Sequence, residues 1–397
     1  MSSTPVLEGV RILAVTQYGA GPYATQHLAD LGADVIKIEQ PGGGDYARAI
    51  GPFATPDGTD SLFFQALNRS TRSVTLDLGA EAGQDVFRTL AAKSDAVLVN
   101  LRADAALRLG LGYEALRDVN PGLVCCWLTG YGRDGSRSSS SGFDYLVQAE
   151  SGIMSLAGHP NQLPTKAGVS IIDFASGIAA SFATVSGILA ARTRGVGCDL
   201  DVSLRDTAAS LLNYVATWHL SAGYEPERLA ASAHPSLVPS QLFDCMDEPI
   251  MVMVNKEHFW PRLAEAVERP EWASAADRKT FADRLAHRET VVAELQSIFA
   301  TNKAGHWLTR LREHHVPCGP VRTVQQAFAD PEYAARTVSF DHPFFGQVTS
   351  PGPLVTGAST TDAHRAPELG AHTDEVLTQL ADLSTVTIRE LRESGIV

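Results

Sequence analysis

Residues 10–39 read VRILAVTQYGAGPYATQHLADLGADVIKIE, and the order of patterns in this stretch decides the fold. RILAVT is a short, branched, apolar run that suits a buried strand. YGAGP follows as a glycine turn, and PYATQHLADLG carries helical spacing with its proline in the first turn, where no backbone N–H is needed. DVIKIE is again strand-like. Together they form a β-α-β unit. The alternation continues with an amphipathic helix at 81–93 and strands at 96–100 and 124–129. Strands and helices in this order specify a largely parallel sheet covered on both faces, hence an α/β, Rossmann-like domain.

At 397 residues the chain exceeds what one hydrophobic core usually supports, so two domains are expected. The large domain is expected over residues 1–220. At 221–240 the sequence becomes SAGYEPERLAASAHPSLVPS, rich in small residues and proline, which reads as a linker. It leads into a smaller central α+β unit ending near residue 329, with the strand PIMVMVN and helices near 258–267, 280–300 and 306–314. Residues 330–397 return with strand and turn signals and a last helix near 373–380.

Hydrophobic and charged fractions of 44% and 19% are those of a soluble globular chain. The net charge of −13 excludes a general nucleic-acid or anionic-membrane binder, because such proteins present basic faces. Five cysteines form no CxxC pair and the histidines show no ligand spacing, so no metal site is expected and a reduced, cytoplasmic setting is. The N-terminus lacks the basic-then-apolar order of a secretory signal. Residues 174–191 are long enough to span a bilayer but consist largely of Ala, Gly, Ser and Thr, and they read as a buried central helix.

Asp173 stands alone among uncharged residues from 167 to 191. Residues 169–172, VSII, resemble a strand end and the alanine-rich run after Asp173 a helix, so Asp173 is expected at a helix start. There, helix amides and the helix dipole would keep its carboxylate ionised, as a nucleophile requires. Capping is the competing role for such an aspartate.

Gly19-Ala20-Gly21-Pro22-Tyr23-Ala24 fits the dinucleotide fingerprint G-x-G-x-x-A, with Glu39 at the spacing of a ribose-binding acid. Pro22, however, removes an N–H where a pyrophosphate would be held. Cations recur near expected strand ends and turns: Lys37, Arg48, Arg69, Arg72, Arg102 and Arg108. Gathered at the carboxyl edge of a parallel sheet, such residues would suit a ligand with several phosphates. No G-x-S-x-G elbow supports a hydrolase.

Several segments taken together resemble the class III coenzyme A transferases, the CaiB/BaiF family that includes formyl-CoA transferase. They are LEGVRIL, AGPYATQHLADLGADVIKIE, GGGDYAR, NRSTRSVTLDL, GFDYLVQAESGIMSLAG, IIDFASGIAASFATVSGILAA, HPSLVPSQLF, VPCGPV and LGAHTDEVL, in family order across nearly the whole chain. The resemblance implies that Asp173, opening Asp-Phe-Ala-Ser-Gly, is the nucleophile. It implies coenzyme A contacts at Tyr18, Gly19, Leu76, Asn100, Leu101 and Arg108. Two basic residues of formyl-CoA transferase are replaced by Gln40 and Gly79, so Arg48, Arg72 and Arg102 become the candidates for the remaining phosphate contacts. No tightly bound cofactor is implied. Acyl-CoA and a small carboxylic acid are the implied substrates, and an interlocked homodimer the implied assembly. Racemases of the same family place a histidine in G-H-D, where this chain has Gly142-Phe143-Asp144, and phenylalanine cannot exchange a proton. A dinucleotide-dependent oxidoreductase and a non-catalytic CoA-binding protein are the alternatives from other classes.

Overall fold

The computed structural model describes residues 4–357 and 363–397, which divide into two compact units. The first comprises Met1–Ser151, Gly168–Ala216 and Ala335–Val397; the second comprises Gly152–Ala167 and Thr217–Ala334. The boundary was expected at residue 220, with 152–167 in the large domain. The chain instead divides after Ala216, and 152–167 belongs to the second unit.

The first unit is built on strands β1 (Arg11–Val15), β2 (Asp34–Glu39), β3 (Arg72–Thr75), β4 (Ala96–Val99), β5 (Val124–Thr129) and β6 (Cys198–Ser203). They form one parallel sheet in the order β3-β2-β1-β4-β5-β6. Its helices include α1 (Ala20–Asp30), α2 (Glu81–Ala92), α3 (Ala103–Arg108), α4 (Asp144–Glu150) and α5 (Ile171–Arg194). Strand periodicity sorts the core. Cys125 and Trp127 of β5 join a cluster with Leu13, Val15, Phe87 and Leu90, whereas the Cys126 thiol lies 3.7 Å from the Ala180 carbonyl of α5. The two adjacent cysteines therefore face opposite sides of the sheet. Burial pushes the Cys125 thiol well above its ordinary value and that of Cys126 up to about 11.

The order of strands reverses between β1 and β4, and their register sets Val15 opposite Val99. The turns leaving the two strands are thereby level and splayed, which opens a crevice at the carboxyl edge. Helices α1 and α5 pack closely along one face. A Cβ at Gly177 would stand 2.8 Å from the Ala20 carbonyl oxygen and 3.0 Å from the Tyr23 ring, so α5 needs glycine there to approach α1.

The expected strand at 169–172 is absent, because α5 begins at Ile171. Tertiary capping overrides local preference: the amides of Ile172 and Asp173 donate to Asp144 Oδ2 at 2.6 and 3.0 Å. Burial of α5, expected as a buried central helix, is one-sided. One face lies on the sheet, while Phe182 and Leu189 on the other are 75% and 68% exposed. By length and apolar composition α5 qualifies as a membrane span. Its Gly187, however, lies against Val124 and Leu200 of the sheet, where a Cβ would clash at 2.7 and 2.9 Å. After α5 and β6 the chain enters α6 (Leu204–Ala222), which is kinked at Asn213.

The second unit has a three-stranded antiparallel sheet of β7 (Ser240–Asp244), β8 (Pro249–Met253) and β9 (Cys318–Pro320). Its core contains Trp260, Leu263, Leu295, Phe299, Trp307 and Leu311. The return segment forms the hairpin β10 (Thr337–His342) and β11 (Gly346–Pro351), then α7 (Thr373–Leu380) and α8 (Thr385–Glu393). Val376, Leu377, Ile388 and Val397 complete the core of the first unit, so that core draws on both ends of the described chain.

Candidate active site

The crevice at the carboxyl ends of β1, β4 and β5 holds a cavity of about 330 Å³. Its lining includes Gln17, Tyr18, Gly19 and Tyr46, Asn100 to Ala103, Leu128 to Gly130, Ser140 to Phe143, and Asp173. A second cavity of about 300 Å³ shares Gln17 and Leu101 with the first and extends along the ends of β2 and β3 past Gln40, Leu76, Asp77 and Gly79.

Asp173 is the third residue of α5 and is 7% exposed. Its carboxylate abuts the turn after β1, since a Cβ on Gly19 would stand 2.9 Å from Asp173 Oδ2. Only glycine at position 19 leaves that oxygen uncrowded. Among the described residues neither Asp173 oxygen accepts a hydrogen bond and no cation pairs with it. The helix amides that were expected to hold Asp173 ionised go to Asp144 instead. Burial, followed by the charge of Asp144, pushes the Asp173 carboxyl up to about 7. Asp173 is therefore shifted opposite to the direction expected of a helix start. A helix start would solvate its own aspartate, and here a neighbouring aspartate intercepts those donors. A buried carboxylate with a raised pKa and no partner, in a cleft, is the arrangement expected of a functional group.

Asp144 is itself buried, at the start of α4, and also accepts from Gln148 Nε2. Phe143 precedes it and is 53% exposed at the cavity wall. A close contact brings this segment back over the sheet: a Cβ on Gly130 after β5 would stand 2.6 Å from Gly142 Cα.

The remaining sequence candidates separate into two groups. Tyr18, Gly19, Asn100, Leu101 and Arg102 line the first cavity, and Leu76 lines the second. Asn100 clamps the turn, accepting from the Gln17 amide at 2.9 Å and donating to the Gln17 carbonyl at 2.8 Å. Arg108, at the end of α3, is exposed, pairs with Asp104 at 3.0 Å and lies outside both linings. Arg48 and Arg72 require correction as phosphate ligands. Arg48 is buried, forked onto Glu39 at 2.8 and 2.9 Å and donating to the Pro367 carbonyl. Arg72 opens β3 at the opposite, amino edge of the sheet, where it pairs with Asp34 at 2.7 Å. Strand ends were legible in sequence, but which end each arginine occupied was not.

Glu39 is likewise no ribose ligand. Burial pushes it up, yet hydrogen bonds from Arg48 and Ser73 and the charges of Lys37 and Arg48 outweigh that, so it titrates below its ordinary value. Gly21, the second glycine of the fingerprint, leaves room for Asn100 and Thr16, which a Cβ would meet at 2.8 Å. Its open side is thus filled by protein where a dinucleotide would need it. The sequence reading missed Tyr46 and Asp45. Tyr46 stacks on Tyr18 with centroids 5.1 Å apart, and both lie within the GGGDYAR stretch or against it. Among the described residues no cluster of three His, Cys, Asp or Glu could hold a metal ion.

Comparison with known proteins accords with this architecture. A sequence model described as CoA-transferase family III matches residues 7–373. The chain is 31% identical over its full length, and over 91% of the relative's, to the succinyl-CoA:glutarate CoA-transferase of Homo sapiens. It is 33% identical to the succinate–glutarate CoA-transferase of Agrobacterium fabrum, with 95% of this chain and 96% of that one aligned. Among solved structures it is similar to a CaiB/BaiF family protein from Brucella suis, with a TM-score of 0.80 and 32% identity over 95% of this chain and 100% of that one. The chain belongs to CoA-transferase family III and is a CoA-transferase.

Proposed function

We propose that Asp173 carries coenzyme A from an acyl-CoA donor to a carboxylic acid acceptor as a covalent intermediate. Its carboxylate attacks the donor thioester carbonyl, the C–S bond breaks, and an aspartyl–acyl anhydride and CoA thiolate result. The thiolate attacks the aspartyl carbonyl, the donor acid leaves, and an aspartyl-CoA thioester remains. The acceptor carboxylate attacks that thioester and expels the thiolate, which then takes the acceptor's acyl group and frees Asp173. The overall exchange replaces one thioester by another of similar energy, so the protein's work is positioning and exclusion of water from the more reactive anhydrides. The observation that carries this reading is the buried, unpartnered Asp173 carboxylate pressed against Gly19. Incubation with an acyl-CoA and hydroxylamine should convert Asp173 alone to its hydroxamate, detectable as one modified peptide. Turnover without any such adduct counts against the covalent route.

A dicarboxylate is the acceptor we favour. Two relatives are named for succinate or succinyl-CoA and glutarate. Racemisation finds no support, because Phe143 offers no second base at the cavity wall. Incubation of a chiral 2-methylacyl-CoA in deuterated water without acceptor should leave Cα unlabelled. The exposed apolar face of α5 supports a homodimer, testable by light scattering. The unpaired cysteines support a reducing, cytoplasmic setting, and coenzyme A enters as substrate with no tightly bound cofactor.

A further inference from the structure

Among the described residues lining the reactive cavity, Tyr18 alone has a left-handed backbone. Its φ of 68° lies in the left-handed region, uncommon for a side chain of this size, and it directly precedes Gly19 against Asp173. Strain of this kind persists only where the surroundings enforce it. Here Asp45 enforces it: Asp45 Oδ1 accepts from the Tyr18 amide at 3.0 Å, while Oδ2 accepts from Lys37 Nζ at 2.9 Å. Lys37 also donates to the Thr16 carbonyl at 2.7 Å, gripping the turn from its other side. Asp45 Oδ1 accepts further from the Ala47 amide, which starts the short helix that sets Tyr46 against the Tyr18 ring. Asp45 and Lys37 are 2% and 1% exposed, so neither is held in place by solvent exchange.

We propose that the buried Lys37–Asp45 pair is a positioning device for the reaction: it holds Tyr18 in its left-handed conformation and so fixes the Gly19 turn and the paired tyrosine wall around Asp173. This rests on Asp173 being the nucleophile. Neither member lines the reactive cavity, and Asp45, which borders the second cavity, has its carboxylate taken up by Lys37 and by the Tyr18 and Ala47 amides, so the pair acts on the alignment of Asp173. Asp45→Ser should lower kcat roughly 30-fold, the scale of a slightly misplaced reacting group, with KM for acyl-CoA within about threefold. Because Asp45→Ser strands a buried lysine, Lys37→Met/Asp45→Leu serves beside it. Apolar replacement strands no buried charge, and the same kcat loss is expected in the folded double variant, whose melting temperature is followed alongside because the Thr16 carbonyl and the Tyr18 and Ala47 amides lose their partners. Glycine adopts the left-handed region freely, so in a Tyr18→Gly background, where the ring is already lost, removing the pair should cost less than about threefold further. An undiminished 30-fold loss in that background, or full kcat in the folded double variant, overturns the proposal. One readout is independent of the reaction: the Tyr18 amide should exchange slowly in the wild type and quickly without Asp45. Equal exchange in both overturns the proposal even if transfer is observed.

Discussion

Two groups of buried carboxylates stand at the carboxyl edge of the same sheet and differ in what surrounds them. Glu39 and Asp45 are each matched by a cation, Arg48 and Lys37, and by backbone or hydroxyl donors. Among the described residues Asp173 has neither cation nor donor, and the charge of Asp144 repels it. Burial alone would push all such groups toward the neutral form. Compensation makes the first pair a fastener, and its lack makes Asp173 a reactive group whose charge is stabilised by little until substrate arrives.

The largest effect that would break this contrast is at Asp173. Asp173→Asn should abolish transfer, a loss on the order of a thousandfold or more, while leaving CoA binding and the melting temperature at or above those of the wild type. Retained turnover would erase the distinction. Glu39→Gln should do the reverse. Stranding Arg48 in the interior should cost about 3–5 kcal/mol of stability by denaturant unfolding. The protein that does fold should keep most of its kcat.

Titration sharpens the same comparison. With its carboxyl at about 7, Asp173 is ionised only above neutrality, so kcat/KM should rise with pH through that value. Asp144→Asn removes the repelling charge and should move the inflection to lower pH. The stability sign follows from linkage. A folded-state pKa raised from 3.8 to about 7 means that Asp173 binds its proton preferentially in the native state, so its contribution falls as pH rises across that window. Asp173→Asn should flatten that slope. The smallest expected effect separates two arginines. Arg102→Ala should raise KM for acyl-CoA several-fold, because Arg102 lines the reactive cavity; Arg108→Ala should change it by less, being an exposed residue already paired with Asp104.

Much of this was legible from residue order. Period and turn residues in 10–39 specified β1, α1 and β2, and the lone Asp173 in an uncharged run marked the reactive group. What sequence withheld was partnership in space. Arg48, Arg72 and Arg102 are alike as letters, yet one is folded into Glu39, one sits at the far edge of the sheet and one faces the cavity. Likewise VSII has strand-forming composition, yet its Ile171 and Ile172 open a helix, because Asp144, nearly thirty positions earlier, accepts the amides of Ile172 and Asp173. Capping that reaches across the fold leaves no mark on neighbouring letters.

The return segment bears on how the chain is made. Helices α7 and α8 and Val397 complete the core under β3, and the Asp77 amide donates to the Ile396 carbonyl at 2.8 Å. A ribosome therefore delivers β1 to β6 well before the residues that seal them, and most of the second unit, Thr217–Ala334, emerges in between. The large unit must wait with part of its apolar surface uncovered, in the condition chaperones recognise, while the second unit can close during synthesis. Nascent chains stalled once residue 334 has just cleared the ribosomal exit tunnel should accordingly show a protease-resistant second unit beside a still-cleavable sheet.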